Sequence, residues 1–138
     1  MNGKGFAVKT LAEVPSVPQD EPGDPDWRPL QHHFRINAFG LNVFTAPAEG
    51  TVLLAPHDER QSGQQELYLV LEGEVAFTLD GEELAATAGT VVAVPDPAVR
   101  RGAVARTAGA RILAVGAKPV GGFRSTWSPH WFEHVPQF

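Results

Sequence analysis

The sequence predicts an all-β protein, an antiparallel β-barrel or sandwich of one domain. Short apolar or alternating segments recur along its 138 residues, separated by turn signals. The 14 glycines and 12 prolines punctuate these segments. No stretch of roughly 12 residues has the apolar periodicity of an amphipathic helix, so helix is expected only in short turns.

The central stretch from Gln64 to Leu79 predicts two strands of a hairpin joined at Glu72-Gly73. The first arm, Leu67 to Leu71, is apolar at every position, so cover is expected on both of its faces. The second arm alternates apolar and polar residues. Glu66 stands at the start of the buried arm, where an unpaired carboxylate would be costly. A cation, a donor or water is therefore expected beside it.

Further short strands are predicted on both sides of this stretch. The first, Phe6 to Val14, would lie at a sheet edge. Asp80-Gly81 predicts a two-residue hairpin turn after the central stretch. The other predicted strands span 34–39, 41–44, 51–55, 83–86, 91–94, 98–105 and 111–116.

Composition divides the chain into three parts. Residues 1–30 are expected to hold the edge strand and a Pro-rich surface loop. Residues 31–117 are expected to form the barrel. Residues 118–138 interleave proline and glycine with aromatic residues, and this tail is expected to pack on the barrel or on a partner subunit.

Charge and composition exclude several functions. The net charge of −5 argues against a nucleic-acid or anionic-membrane partner. No apolar run approaches the roughly 20 residues that cross a bilayer. The chain has no cysteine, which excludes disulfides and thiolate chemistry and fits a cytoplasmic protein.

Two groups of residues have the spacing of a known family. Glu66 is followed by Gly73, and Gly89 by Pro95 and Pro97. In this spacing the chain resembles the cupin superfamily, and in particular small single-domain bacterial cupins of the conserved-barrel (cupin 2) type. The resemblance implies an antiparallel jelly-roll β-barrel.

The chain departs from the cupin pattern at the metal ligands. Cupins normally offer three imidazoles and one carboxylate. Here His57 and Glu59 fall in the first two histidine slots only if the following loop is about two residues longer than usual. Arg100 replaces the histidine of the second motif.

The resemblance therefore implies a pocket of His57, Glu66, Tyr68 and Arg100. Since Arg100 and Arg101 are adjacent on a strand, only one can point inward, and the motif register selects Arg100. Its guanidinium would pair with Glu66 and repel a divalent ion. No cofactor is favoured, and the alternative is Fe, Mn, Ni or Zn held by His57, Glu59 and Glu66.

Three functions remain open at this point. The first, which we favour, is a cupin with a degenerate metal site that binds a small polar or anionic molecule. The second is a metal-dependent enzyme, an oxygenase or isomerase, and the third is an interaction protein with a filled barrel. Leu67, Leu69 and Leu71 form an apolar face opposite Glu66, which predicts a homodimer.

Overall fold

Two antiparallel β-sheets face each other across one apolar core. The computed structural model describes all 138 residues. The helical elements are one short α-helix, α1 (Leu30–His33), and two single turns of 3-10 helix at Leu11–Glu13 and Pro129–Phe132. The strands are β1 (Asn2–Gly3), β2 (Phe6–Ala7), β3 (Asp26–Pro29), β4 (Gly40–Thr45), β5 (Val52–His57), β6 (Gln65–Glu72), β7 (Glu74–Leu79), β8 (Glu82–Thr87), β9 (Val91–Val94), β10 (Arg101–Ala105) and β11 (Arg111–Ala117).

The strand order is that of a jelly roll. One sheet has the order β5-β10-β7-β8, and the other β3-β4-β11-β6-β9. All their pairings are antiparallel. The predicted all-β, jelly-roll class is confirmed.

The core is built from the alternate residues that each sheet turns inward. Tyr68, Val70 and Ile112 come from the five-stranded sheet, and Val75 and Phe77 from the four-stranded sheet. The rings of Tyr68 and Phe77 lie 5.9 Å apart across the core. Large aromatic side chains therefore fill the interior where the sheets meet, and small residues such as alanine suffice opposite them.

The predicted turn at Asp80-Gly81 is present. Asp80 has φ 48° and Gly81 has φ 86°, both in the left-handed region that a two-residue hairpin turn of type I′ requires. Leu79 and Glu82 are cross-strand partners on either side of it. This hairpin joins β7 to β8.

The predicted hairpin at Glu72-Gly73 is wrong. Strand β6 pairs with β11 and β9, whereas β7 pairs with β10 and β8 in the opposite sheet. Gly73 carries the chain across with φ 72°, and a Cβ there would collide with Thr107 Oγ1 and lie 2.9 Å from Ala110 Cα. Gly73 thus lies where the chain crosses from one sheet to the other.

The predicted strand at 34–39 is also absent. Helix α1 precedes it, and the Phe34 N–H donates to the Leu30 carbonyl to close the last helical turn. Arg35 follows in the left-handed region with φ 60°, a conformation that often ends helices. The alternation of apolar and polar residues in 34–39 therefore belongs to a turn and not to a strand.

The N-terminal segment differs from its prediction as well. Phe6–Ala7 pairs only with Asn2–Gly3, and the edge strand of the larger sheet is β3. Arg28 and Val43 are cross-strand partners and so share the outer face of that sheet. The Arg28 Nη1 donates to the Val14 carbonyl at 3.0 Å, and both valines are buried outside the main core. Residues 11–14 therefore cover this part of the outer face.

The C-terminal tail, residues 118–138, lies exposed along its whole length. Phe123 is 95% exposed and Trp127 is 70% exposed. Trp127 stacks on Phe132 within the tail at a centroid distance of 6.4 Å. Within one chain, therefore, no residue of the tail is buried against the barrel.

Candidate functional site

Three side chains with metal-ligating atoms converge at one end of the barrel, which we call the mouth. His57 ends β5, Glu59 lies in the loop that follows, and Glu66 lies near the start of β6. One ligand atom from each lies within 4.8 Å of the others. The longer loop that the sequence analysis required for His57 and Glu59 is therefore present, and it brings both residues to Glu66.

Backbone contacts hold His57 and Glu59 in place. The His57 Nδ1 lies 2.7 Å from the Ala55 carbonyl, which can only accept, so Nδ1 carries a proton. The other ring nitrogen, Nε2, lies 3.2 Å from Glu59 Oε1 and 3.9 Å from Glu66 Oε1. The Glu59 N–H donates to the Pro97 carbonyl at 2.8 Å, and its carboxylate accepts from the Ser62 hydroxyl. The imidazole thus presents Nε2 to the two carboxylates.

Space for the Glu66 side chain depends on Gly116 of the neighbouring strand. The two residues are cross-strand partners in β6 and β11. A Cβ on Gly116 would lie 3.1 Å from Glu66 Cγ and 2.8 Å from Gln64 Oε1. Glycine therefore leaves the room that the carboxylate occupies.

The cation beside Glu66 is Arg101. Its side chain is completely buried, and its Nη2 lies 3.1 Å from Glu66 Oε1. This contact lacks the alignment of a hydrogen bond, so Nη2 forms an ion pair without one. The Arg101 Nη1 donates to the Val99 carbonyl at 2.7 Å, and Nε donates to the Tyr68 hydroxyl at 3.4 Å. The guanidinium is therefore fixed behind the carboxylate, away from solvent.

The prediction that Arg100 points inward is wrong. Its side chain lies on the outer side of the four-stranded sheet, where Nη2 donates to the Pro56 carbonyl at 3.3 Å. It lines an outer groove of about 310 Å³ with Gly102 and Val104. Arg100 is thus outside the predicted pocket, and Arg101 takes the place expected for it.

The error has a physical cause in the register of β10. Ala103 and Ala105 face the core, while Val104 faces outward and is exposed. The expectation for Arg100 rested on the motif spacing alone. Alternation counted back from the two alanines would have identified Arg101. The loop before β10 is accordingly one residue longer than the motif spacing.

Tyr68 connects the two charged groups. Its hydroxyl donates to Glu66 Oε1 at 2.8 Å and accepts from Arg101. Burial raises the pKa of Tyr68 well above its ordinary value, and the neighbouring Glu66 carboxylate raises it further. Tyr68 therefore stays a neutral hydrogen-bond donor to the carboxylate.

The surface of the mouth is consequently acidic. The side chains of His57, Glu59 and Glu66 are 38%, 19% and 13% exposed. The one arginine of the site is buried behind them. Such a surface can accept hydrogen bonds from hydroxyl groups or hold a cation, and it repels anions.

A small antiparallel jelly-roll barrel with titratable groups at its mouth defines the class of this protein. The family model for the cupin domain matches residues 48–116, which is half of the chain. The chain belongs to the cupin family.

Solved structures with the same fold support this assignment. A cupin protein from Bacteroides fragilis matches with a TM-score of 0.66 and 19% identity, covering 99% of this chain and 100% of its own. A sugar phosphate isomerase of the cupin superfamily from Silicibacter pomeroyi matches with a TM-score of 0.66 and 21% identity, covering 81% and 76%. KdgF from Halomonas matches with a TM-score of 0.65 and 17% identity, covering 80% and 92%. At these identities the likeness concerns the fold.

One further comparison and the lengths of the helices add little to the assignment of function. None of the curated proteins compared with the chain matches it. None of its helices is long and apolar enough to cross a membrane.

Proposed function

We propose that this cupin binds a small, neutral, hydroxyl-bearing molecule at the mouth formed by His57, Glu59 and Glu66. The observation that carries the proposal is the Arg101–Glu66 ion pair, 3.1 Å long and backed by Tyr68. It fixes one carboxylate as a rigid acceptor, while Glu59 and His57 are held beside it at the surface of the mouth. Hydroxyl groups are the ligand chemistry that such acceptors bind through charge-assisted hydrogen bonds.

The sequence analysis allowed for an anionic ligand, and the structure does not favour one. It rested on Arg100, which lies outside the mouth. Arg101 has no exposed surface with which to contact an anion. Two carboxylates would meet the ligand first, and like charges repel.

A second candidate is a metal-dependent cupin enzyme, an oxygenase or isomerase. The convergence of His57, Glu59 and Glu66 within 4.8 Å favours it, because three such atoms can surround one divalent ion. One relative in fold is named as a sugar phosphate isomerase. These three residues would hold the ion, which when bound would polarise a substrate oxygen.

The charge of Arg101 weighs against the second candidate. An ion bound to Glu66 would lie close to the Arg101 guanidinium, which is 3.1 Å from Glu66 Oε1, and the two positive charges would repel each other. Glu66 Oε1 is in addition already engaged by Tyr68. The donors thus fit an ion in spacing, but the buried cation opposes it.

Metal analysis and ligand titration of the purified protein test the choice. We expect less than stoichiometric Fe, Mn, Ni and Zn in untreated protein. We also expect saturable binding of neutral hexoses or polyols in the presence of a chelator, and weaker binding of the corresponding sugar acids. Glu59→Gln should weaken the binding, whereas Glu82→Gln, an exposed residue in β8, should leave it unchanged.

Two outcomes would reject the proposal. Stoichiometric metal in the untreated protein would favour the metal-dependent enzyme. Absence of saturable hexose or polyol binding, or equal binding by the Glu59→Gln protein, would mean that the mouth does not bind hydroxyl-bearing ligands.

We further propose that the chain forms a homodimer through the outer face of β6 and β9. Leu67 and Leu71 are each more than a third exposed there. Leu69 and Val91 are cross-strand partners on the same face, which makes the apolar surface continuous. The segment 11–14 covers only the opposite end of this sheet.

Light scattering at tens of micromolar tests the dimer. We expect the mass of two chains for the wild type and of one chain for Leu67→Glu. Val52→Glu on β5 is the control, because this valine is more exposed than Leu67 but lies in the other sheet. A monomeric wild type would reject the dimer. Removal of residues 118–138 tests whether the tail takes part.

A further inference from the structure

A charged cavity outside the mouth lies between the N-terminal β1–β2 hairpin and the turn after α1. It encloses about 790 Å³. We propose that it binds a small organic anion, meaning a carboxylate or phosphate group on an apolar body. The lining residues that matter here are Phe6, Lys9, His33, Phe34, Arg35 and Ile36.

The charge of this cavity is the first argument. Lys9 and Arg35 line it together with His33, and no acidic residue does. Neither Lys9 nor Arg35 takes part in any ion pair of the structure. In a chain with 16 acidic residues and a net charge of −5, two cations without a carboxylate partner in one cavity leave room for an external anion.

The geometry around Lys9 is the second argument. Its Nζ lies 2.8 Å from His33 Nε2. An ammonium group can only donate, so Nε2 accepts and the imidazole proton is on Nδ1. One ammonium hydrogen is thereby used, which fixes the direction of the other two. The contact with His33 therefore fixes the position of the Lys9 ammonium group and leaves its positive charge uncompensated.

The segments next to the two cations are held in place. On one side, Arg28 Nη1 donates to the carbonyls of Leu11, Ala12 and Val14 at 2.8–3.0 Å, which anchors the chain just beyond Lys9. On the other side, α1 holds His33, whose ring packs edge-on to Phe34 at 5.0 Å. The cationic groups therefore belong to two segments that the fold brings together.

An apolar surface accompanies the charges. Phe6, Phe34 and Ile36 line the same cavity. The ring of Phe6 lies over Gly3, where a side chain would collide with it. A ligand with an aromatic or aliphatic body could pack on these side chains while its oxyanion contacts Lys9 and Arg35. Inorganic phosphate could contact Lys9 and Arg35 but has no body to pack on the apolar side chains.

The backbone of Arg35 is the third observation. Its φ of 60° is a left-handed conformation that glycine or asparagine adopts more easily than arginine. Arginine here costs conformational energy and supplies a guanidinium at the cavity, and its planar fork suits carboxylate and phosphate oxygens.

Nuclear magnetic resonance titration of the full-length ¹⁵N-labelled protein tests the proposal. The probes are phenyl phosphate, benzoate, inorganic phosphate and, as the neutral counterpart, benzyl alcohol. We expect saturable shifts of residues 3–9 and 33–36 with phenyl phosphate or benzoate, and weaker binding of the other two. Whichever of phenyl phosphate and benzoate binds more tightly identifies the preferred anionic group.

Two substitutions remove the cations with little change in backbone. Lys9→Gln and Arg35→Asn should each weaken binding about ten-fold, the loss expected for a charge-assisted hydrogen bond. Asparagine tolerates the left-handed conformation, so Arg35→Asn should fold. Lys9→Arg should restore most of the binding, and Arg124→Gln in the exposed tail is the control that should not change it.

Several results would overturn the proposal. They are shifts located at the mouth residues instead of the cavity, equal binding of benzyl alcohol and phenyl phosphate, or unchanged binding by both charge-removing variants. If inorganic phosphate bound as tightly as phenyl phosphate, the assignment to an organic anion would be wrong. Glu59→Gln should leave this binding intact, which separates it from binding at the mouth.

Discussion

The guanidinium of Arg101 lies 3.1 Å from the carboxylate of Glu66 and has no contact with solvent. The same carboxylate oxygen accepts the Tyr68 hydroxyl at 2.8 Å. Glu66 therefore has two tasks, because it compensates a buried charge and also faces the mouth. Stability and binding at this end of the barrel are expected to depend on one another.

Replacement of Arg101 tests the first task. Arg101→Ala should lower the free energy of unfolding by about 3–5 kcal/mol, because it removes one partner of a largely buried ion pair. Arg100→Ala should lower it by about 0.5 kcal/mol or less, since that side chain is exposed. Urea unfolding of both variants measures the difference. Equal losses would contradict the assignment of Arg101 as the buried partner.

The ionisation of Tyr68 can be observed directly, because it is the single tyrosine of the chain. Its pKa is raised in the folded state by burial and by Glu66. In the folded protein, the near-ultraviolet absorbance of tyrosinate should therefore stay absent at pH values where the unfolded chain already ionises, above about 10. A normal titration of the folded protein would contradict the buried position.

The raised pKa of Tyr68 also predicts how stability depends on pH. Above about pH 10 the unfolded chain loses the proton that the folded protein keeps, so stability should fall as the pH rises. Below that pH the contribution is fully present. Tyr68→Phe should remove this part of the dependence, and urea unfolding between about pH 9 and 11 compares the slopes. Identical slopes would contradict it.

Metal affinity should increase when the buried cation is replaced. Arg101→His removes a positive charge beside Glu66 and adds an imidazole, so the affinity for Mn²⁺ or Zn²⁺ should rise at least about ten-fold. Arg100→His adds the same ring outside the mouth and should change little. Calorimetric titration of both proteins, with a thermal melt to confirm folding, makes the comparison. A folded Arg101→His protein with unchanged affinity would show that the guanidinium does not control the site.

The crossover between the sheets predicts a contrast between two glycines. Gly89→Ala should cost about 1–2 kcal/mol, because its φ of 91° is strained for alanine but the space is open. Gly73→Ala should cost about 1–3 kcal/mol more, because its Cβ would meet Thr107 and Ala110 as well. Chemical unfolding of both variants checks the order, and the reverse order would contradict it.

Much of this fold was predictable from local patterns. The Asp80-Gly81 turn and the alternation on either side of it identify β7 and β8, because turn residues and face periodicity act over a few residues. The partner of β6 was not predictable in this way. Glu72-Gly73 resembles a turn, and only the contacts of Gly73 with Thr107 and Ala110 reveal that the chain changes sheet there.

The prediction of the site departs from the structure at two residues, because Arg100 lies outside it and Tyr68 is fully buried behind Glu66 instead of lining the pocket. His57, Glu59 and Glu66 could be brought together from the motif spacing and a longer loop. The choice between Arg100 and Arg101 depended on one residue of loop length before β10, which reverses the facing of every side chain that follows. Motif spacing alone cannot determine the length of that loop. The small residues Ala103 and Ala105 face the core, and alternation from them shows that Arg101 faces inward as well.

The position of β11 has a consequence for the synthesis of the chain. This strand lies between β4 and β6 in the larger sheet, yet it follows both of them in the sequence. While the ribosome is still making residues before Arg111, the edges of β4 and β6 that will face β11 have no partner for their backbone groups. Unpaired edges of this kind are templates for aggregation, and long-range pairing is slow. The nascent protein therefore depends on its last strand for protection, and truncation before Ala117 should yield aggregates.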